Sequence, residues 1–313
     1  MLYNELDKMI GNTKLLHLNK LSEKYNNNIY VKLEGDNPFG SIKDRVAYQI
    51  ITKGIEEGKI DKETVVIEAT SGNTGIALAG ICKILGIKFI VIMPENMSSE
   101  RINLMKIYGA DVILTTKEEG MNGSINKALE IQKNYEKNNV KTYMADQFNN
   151  PNNYLAHYHT TAKELDKDLE NIDYIFSGIG TGGTIVGIGK YFKEKHSKVK
   201  IIGYEPKESP FLTEGKKGVH GIQGIGAGFK PNIYDEKYVD EILQIETNVA
   251  YKGCFELLEE GLFLGISSGG AFECVKKYLR ENNITNKNII FISPDSGMKY
   301  MSFYSNLIEE LDN

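Results

Sequence analysis

Cysteine is scarce. Cys82, Cys254 and Cys274 are the only 3 in the chain, too few and too scattered for a disulfide framework or a Cys-x-x-Cys metal site, and they suit a reducing compartment. Proline is sparse as well, with 7 in 313 residues against 31 glycines, which removes collagen-like and proline-rich disordered chains. Positive charge is not in excess. Lys and Arg number 37 and Asp and Glu 42, a net charge of −5 that offers nucleic acid no broad basic face, so no nucleic-acid partner is expected. No stretch approaches the roughly 18 uninterrupted apolar residues of a membrane span, and the opening Met-Leu-Tyr-Asn-Glu-Leu-Asp-Lys has no basic segment leading into an apolar run. A cytoplasmic location without a membrane partner is the expectation.

What the chain does have is a globular balance of 41% hydrophobic and 25% charged residues. Short Val- and Ile-rich runs alternate with helix-length amphipathic segments, the pattern of parallel sheets covered by helices, and the fold class is read as α/β. Strands are expected at Ile29–Leu33, Thr64–Ile67, Phe89–Met93, Asp111–Leu114, Tyr174–Phe176, Lys200–Tyr204 and Asn288–Ile292. Helices are expected at Gly72–Leu85, Ser98–Tyr108, Ser124–Tyr135, Leu155–Leu169 and Thr184–Lys195, several opening on a Ser, Thr or Asn suited to N-capping. The Asn- and Gln-rich segment Asp146–Asn153 breaks the alternation and reads as a domain joint, while the glycine-rich Lys207–Asp235 reads as a long functional loop.

Two strand-to-helix junctions carry anion-binding signals. Thr70-Ser71-Gly72-Asn73-Thr74-Gly75 places hydroxyls and glycines where a helix begins, and free N–H groups with the positive dipole end there suit a carboxylate or phosphate. Ser177-Gly178-Ile179-Gly180-Thr181-Gly182-Gly183-Thr184 is the second. Gly178, Gly180 and Gly183 satisfy G-x-G-x-x-G, and Glu205 ends the next strand where a dinucleotide fold holds its ribose, so an NAD-binding oxidoreductase is an open reading. Against it, Thr181 and Thr184 suit a terminal phosphate monoester, and a dinucleotide leaves the first junction unexplained. Lys43, in Asn37-Pro38-Phe39-Gly40-Ser41-Ile42-Lys43-Asp44-Arg45, reads by itself as a solvated charge. Beside two anion cradles it also suits a phosphorylated aldehyde held as a Schiff base. His157 and His159 fall on an expected helix without ligand partners, and no metal site is expected.

Asn-Pro-x-Gly-Ser-x-Lys-Asp-Arg, Thr-Ser-Gly-Asn-Thr-Gly, Gly-Thr-Gly-Gly-Thr, Gln-Gly-Ile-Gly-Ala-Gly-Phe at 223–229 and Gly-Ile-Ser-Ser-Gly at 265–269 follow one another in register. Together they make the chain resemble the cysteine synthase (O-acetylserine sulfhydrylase) family of fold-type II pyridoxal-phosphate enzymes, from about Ile10 to Tyr300. The resemblance implies two doubly wound sub-domains with mainly parallel sheets, like the tryptophan synthase β chain. A smaller moveable domain would span 42–147, and 1–41 with 148–313 would form the larger, phosphate-binding one.

The implied chemistry is β-replacement through an α-aminoacrylate intermediate, from O-acetyl-L-serine and sulfide to L-cysteine and acetate. The implied roles are Lys43 as catalytic base and carrier of pyridoxal 5'-phosphate, with Asn73, Gly180, Thr181, Gly182, Gly183, Thr184, Ser267 and Asp295 binding that cofactor. Thr70, Ser71, Gly72, Thr74 and Gln147 would hold the substrate. Phe39, Ala69 and the polar Lys230-Pro231-Asn232-Ile233-Tyr234 depart from the family's usual residues. They raise an alternative, a cysteine-consuming, hydrogen sulfide-producing enzyme in which Gly228, Lys230, Asn232 or Tyr234 positions the nucleophile. A homodimer and a serine acetyltransferase partner are further implications.

Overall fold

The computed structural model describes residues 2–96 and 99–305. Its strands are β1 (Leu15–His17), β2 (Asn28–Leu33), β3 (Val65–Ala69), β4 (Lys88–Pro94), β5 (Asp111–Thr115), β6 (Thr142–Met144), β7 (Tyr174–Gly178), β8 (Lys200–Pro206), β9 (Glu241–Ile245) and β10 (Asn288–Ser293). They form a six-stranded sheet in the order β1-β2-β10-β7-β8-β9 and a four-stranded sheet in the order β5-β4-β3-β6. Every pairing is parallel except β1 with β2.

Side-chain alternation explains why the expected strands are apolar at nearly every position. In β4, Phe89, Val91 and Met93 join the core under helices Lys43–Glu56 and Asn73–Leu85, while Ile90 and Ile92 face the other way toward helix Gly120–Lys137. In β10, Ile289 and Phe291 pack toward helices Thr247–Leu258 and Ile266–Glu281, and Ile290 and Ile292 toward helix Gly183–Glu194. Both faces of each sheet are covered, so both sets must be apolar. All the expected strands are present. The unexpected ones, β1, β6 and β9, lie at sheet edges, where one side is uncovered and the apolar signal thins.

The helices differ from expectation in informative places. The single helix expected over Leu155–Leu169 is two, Asn152–His159 and Thr161–Asp168. Thr160 between them sits at φ −122° and ψ −76°, and its hydroxyl donates back to the Ala156 carbonyl at 2.6 Å, which diverts the backbone from the helical path. Ser98 lies outside the described residues, and the helix it was expected to open is described from Ser99 to Ile107. Helices Asn73–Leu85 and Gly183–Glu194 are preceded by Gly72 and Gly182, neither of which has a side chain to cap with. Among the described residues the Gly183 N–H is accepted by Thr181 Oγ1 at 3.3 Å and the Gly75 N–H by the Gly72 carbonyl at 3.1 Å, while the N–H groups of Asn73 and Thr74 have no protein acceptor.

Sheet order fixes where those helix starts lie. In the smaller sheet the chain runs outward through β3, β4 and β5 and returns as β6 on the other side of β3; in the larger it runs through β7, β8 and β9 and returns as β10 beside β7. Each reversal leaves a crevice at the strands' carboxyl ends. Lys43 enters the same region because a bridge between Ser41 and Asp295 ties its segment to the end of β10.

A buried ion cluster holds the Lys43 helix in place. Arg45 Nε and Nη2 donate to Glu34 at 2.7 and 2.8 Å and Nη2 also to Glu164 at 2.7 Å, and Glu164 pairs with the buried Lys32 ammonium at 2.9 Å. Arg45 and Glu34 side chains are 1% and 0% exposed, so neither charge has water to fall back on. Burial alone pushes the Glu164 carboxyl up, but the Arg45 hydrogen bonds and the Arg45 and Lys32 charges outweigh it and bring it to about 2. Its stabilising contribution is complete above the ordinary value of 4.5 and is lost as pH falls toward about 2. Arg45→Met is expected to lower the unfolding free energy by about 3–5 kcal/mol in urea titration at neutral pH, because it leaves Glu34 uncompensated.

Candidate active site

Lys43 is the first residue of its helix, and its ammonium has no hydrogen-bond or ion-pair partner in the protein among the described residues. Burial pulls its pKa below that of an ordinary lysine, with the charges of Asp295 and Glu34 opposing the shift. Such an amine is neutral more often, and the neutral form is a nucleophile and a base.

The first crevice lies between the ends of β3 and β6. Thr70 Oγ1 accepts the Gly72 N–H at 3.4 Å, and Thr74 Oγ1 donates to Gln147 Oε1 at 2.7 Å across the crevice. The N–H groups of Ser71, Asn73 and Thr74 have no protein acceptor among the described residues. Glu68, a buried carboxyl beneath, accepts the N–H groups of Asp146 and Gln147 at 2.7 and 3.5 Å and fixes the turn that presents Gln147. Burial pushes its carboxyl up to about 8 against those backbone hydrogen bonds. The structure thus brings together Thr70, Ser71, Gly72, Thr74 and Gln147.

The second crevice, at the ends of β7 and β10, holds Gly180 to Thr184. The N–H groups of Gly180, Thr181 and Gly182 have no protein acceptor among the described residues, and Gly182 has φ +84°. A Cβ on Gly180 would lie 2.4 Å from the Gly224 carbonyl oxygen, so glycine is the residue that allows the loop to pass so closely. Thr181 Oγ1 accepts from Asn153 Nδ2 at 3.0 Å, and the same Nδ2 donates to the Gln147 carbonyl at 2.7 Å. One amide thereby ties the two crevices together. Thr184 Oγ1 lies 3.3 Å from His157 Nε2, whose Nδ1 lies 3.0 Å from Thr161 Oγ1. Burial, reinforced by the Lys43 and Arg45 charges and opposed by Glu164, holds His157 well below the usual histidine pKa and keeps it neutral.

The floor comes from both sheets. Asn73 Nδ2 donates to Asp295 Oδ2 at 2.7 Å, Tyr300 OH donates to the same oxygen at 2.8 Å, and Asp295 Oδ1 is buried without a partner. Ser267 is 4% exposed with a hydroxyl that has no protein partner among the described residues, and its carbonyl accepts the Tyr204 OH at 2.6 Å. An inward hydroxyl on the first turn of helix Ile266–Glu281 is thus fixed by its backbone.

The mouth residues divide. Tyr234 is buried with its Cβ beneath Gly182, supporting the second loop, and burial pushes its phenol up to about 12. Lys230 is exposed and paired with Glu236 at 2.8 Å, exposed Asn232 donates to Asn149, and Gly228 turns at φ +74° near Lys217. Glu205, the ribose partner of the dinucleotide reading, accepts the N–H groups of Leu212 and Thr213 at 2.8 and 2.9 Å and the Thr213 hydroxyl at 2.6 Å. Its oxygens hold helix Phe211–Glu214, and the side chain is buried in that structural role. Glu68, Asn153, His157 and Lys299 were not singled out from sequence as site residues. Each acts through a partner far along the chain, which no local pattern reveals; the one available hint was the amide-rich run containing Asn153.

The model of the pyridoxal-phosphate dependent enzyme family matches residues 6–295. Cysteine synthase B of Campylobacter jejuni is 41% identical, with 96% of this chain and 97% of that protein covered. The crystal structure of a cysteine synthase from Entamoeba histolytica superposes with a TM-score of 0.91 at 40% identity, covering 96% of this chain and 90% of that one. That of a hydrogen sulfide-producing enzyme from Fusobacterium nucleatum gives 0.90 at 44% identity, covering 96% and 98%. With an unpaired lysine between two open anion crevices and likeness along nearly its whole length, the chain belongs to the pyridoxal-phosphate dependent enzymes, among the cysteine synthases.

Proposed function

We propose that this protein makes L-cysteine and acetate from O-acetyl-L-serine and sulfide. The observation that carries the reading is the unpartnered, pKa-lowered Lys43 between a crevice fit for a carboxylate and a loop fit for a phosphate. The residues present fit pyridoxal phosphate. The Gly180–Gly182 N–H groups and the Thr181 and Thr184 hydroxyls suit its phosphate, Asn73 its phenolic oxygen, and the Ser267 hydroxyl its ring nitrogen. When bound, the cofactor supplies an aldehyde that an amine can capture and a ring that takes up the electron pair left at Cα.

Lys43 provides the amine for that capture and afterwards the base. Thr70, Ser71, Gly72, Thr74 and Gln147 grip the α-carboxylate of the amino acid and align its Cα–H bond with Lys43. Lys43 takes the Cα proton, the Cβ–O bond breaks and acetate leaves with the bonding pair; sulfide then forms the Cβ–S bond, and Lys43 returns a proton to Cα. Ser267, a neutral partner, stabilises a protonated ring less than a carboxylate would, which favours loss of the β-substituent. Residues 42–147, which contain the whole four-stranded sheet and the carboxylate crevice, close as a unit over the bound amino acid. Exposed Leu2, Leu6 and Met9 give the amino-terminal segment an apolar side that supports pairing into a homodimer.

The likeness to the hydrogen sulfide-producing enzyme of Fusobacterium nucleatum supports a second reading, release of sulfide from L-cysteine with serine or a thioether as the other product. The two are separated by rate. With the cofactor-loaded protein, cysteine formation from O-acetylserine and sulfide is expected to exceed sulfide release from L-cysteine by about tenfold or more; the reverse ratio assigns the catabolic role. Lys43→Ala is expected to lower turnover by roughly 10²–10⁴-fold while the protein still retains cofactor on its phosphate loop. Turnover within tenfold of the unmodified enzyme would remove Lys43 from the chemistry.

A further inference from the structure

We propose that Lys299 is a positioning residue that orients the Asn73 amide, so that Asn73 presents an N–H, and not its carbonyl, to the cofactor's phenolic oxygen. The inference rests on the cofactor reading above and adds a residue to it. Lys299 lies in the short turn Gly297–Tyr300 after β10, whereas Asn73 opens the helix after β3, in the other sheet. Its ammonium donates to Asn73 Oδ1 at 2.9 Å and to the Phe39 carbonyl at 3.2 Å. Asn73 Nδ2 donates to Asp295 Oδ2 at 2.7 Å.

An ammonium can only donate and an ionised carboxylate can only accept, so these neighbours admit one orientation of the amide. The flipped amide would set its NH2 against the ammonium and its carbonyl against the carboxylate, in a place with little water to relieve either contact. Nδ2 carries two hydrogens, and Asp295 takes one. The other has no protein acceptor among the described residues and is the hydrogen that can meet an oxygen entering between the crevices.

The backbone is shaped to admit Lys299. Gly40 turns at φ +78°, and a Cβ there would lie 3.2 Å from Lys299 Cε, so the lysine stem crosses the strap that leads to Lys43 where a side chain would crowd it. Phe39, whose carbonyl Lys299 holds, donates its N–H to Asp44 at 2.6 Å on the same strap. Burial lowers the Lys299 pKa, but Asp295 and Asp44 oppose that while Arg101 adds to it, so two carboxylates favour the charged form that the geometry requires.

The test is binding of pyridoxal phosphate to apoprotein, followed by visible absorbance, for the unmodified chain, Lys299→Met, Lys299→Arg, Asn73→Ala and the double variant Lys299→Met with Asn73→Ala. Lys299→Met is expected to weaken binding about tenfold and to lower the visible band relative to the near-ultraviolet one, as loss of one well-aimed hydrogen bond should. Lys299→Arg should restore most of both. The double variant should match Asn73→Ala alone, since Lys299 acts through that amide. Unmodified binding and spectrum in Lys299→Met, or additive losses in the double variant, would overturn the assignment. Should Lys299→Met fail to fold by circular dichroism, Lys299→Leu makes the same comparison with both the charge and the donor removed. An unmodified chain that binds no cofactor would refute the functional reading itself, a result distinct from a Lys299 variant that behaves like it.

Discussion

Two side-chain amides, one buried and one half-buried, link the carboxyl edges of the two sheets, and the arrangement of the crevices depends on them. Asn153 spans from the Gln147 carbonyl, beyond β6, to the Thr181 hydroxyl, beyond β7. Asn73, beyond β3, reaches Asp295, beyond β10. A parallel sheet leaves loops and helix starts with open N–H groups at its carboxyl edge, and one edge by itself would bind an anion and do little else. The two edges bring both sets of open N–H groups to one region, with Lys43 entering between them on a helix pinned by Arg45 and Glu34.

The amides also bear on how the crevices can move. Asn73 stands at the root of the carboxylate crevice but bonds to residues of the larger sheet, whereas Thr70 and Ser71 belong to the smaller. A rotation of residues 42–147 that preserved these bonds would pivot near Asn73 and swing Thr70, Ser71 and Gly72 by more than it moved the amide. Glu68, by holding the turn of Asp146 and Gln147, carries the opposite wall of the crevice along with β3.

Much of this was legible in the sequence because the relevant signals are local. Val–Ile runs buried on both faces, glycines at helix starts and hydroxyls beside them appear as strings, and so do the strands and the two helix starts, whereas Lys43 read by itself as a solvated charge and has its pKa lowered by burial. What was not legible is what folding joins over distance. Glu205 matched a ribose-binding position by spacing, yet it is buried and holds the backbone of Leu212 and Thr213. His157 read as a helix residue without ligand partners, and burial beside Thr184 makes it a neutral support of the Gly180–Thr184 loop. Tyr234 was one candidate for positioning the nucleophile, and it is buried with its Cβ against Gly182. The break at Thr160 depends on one hydroxyl choosing a backbone carbonyl, which apolar periodicity cannot register.

The most direct measurement is borohydride reduction of the protein mixed with pyridoxal phosphate, followed by peptide mass spectrometry. A stable pyridoxyl group on the peptide containing Lys43, with none on Lys299, is the predicted result. A group carried mainly by another lysine, or by none, would contradict the placement of the cofactor between the two crevices.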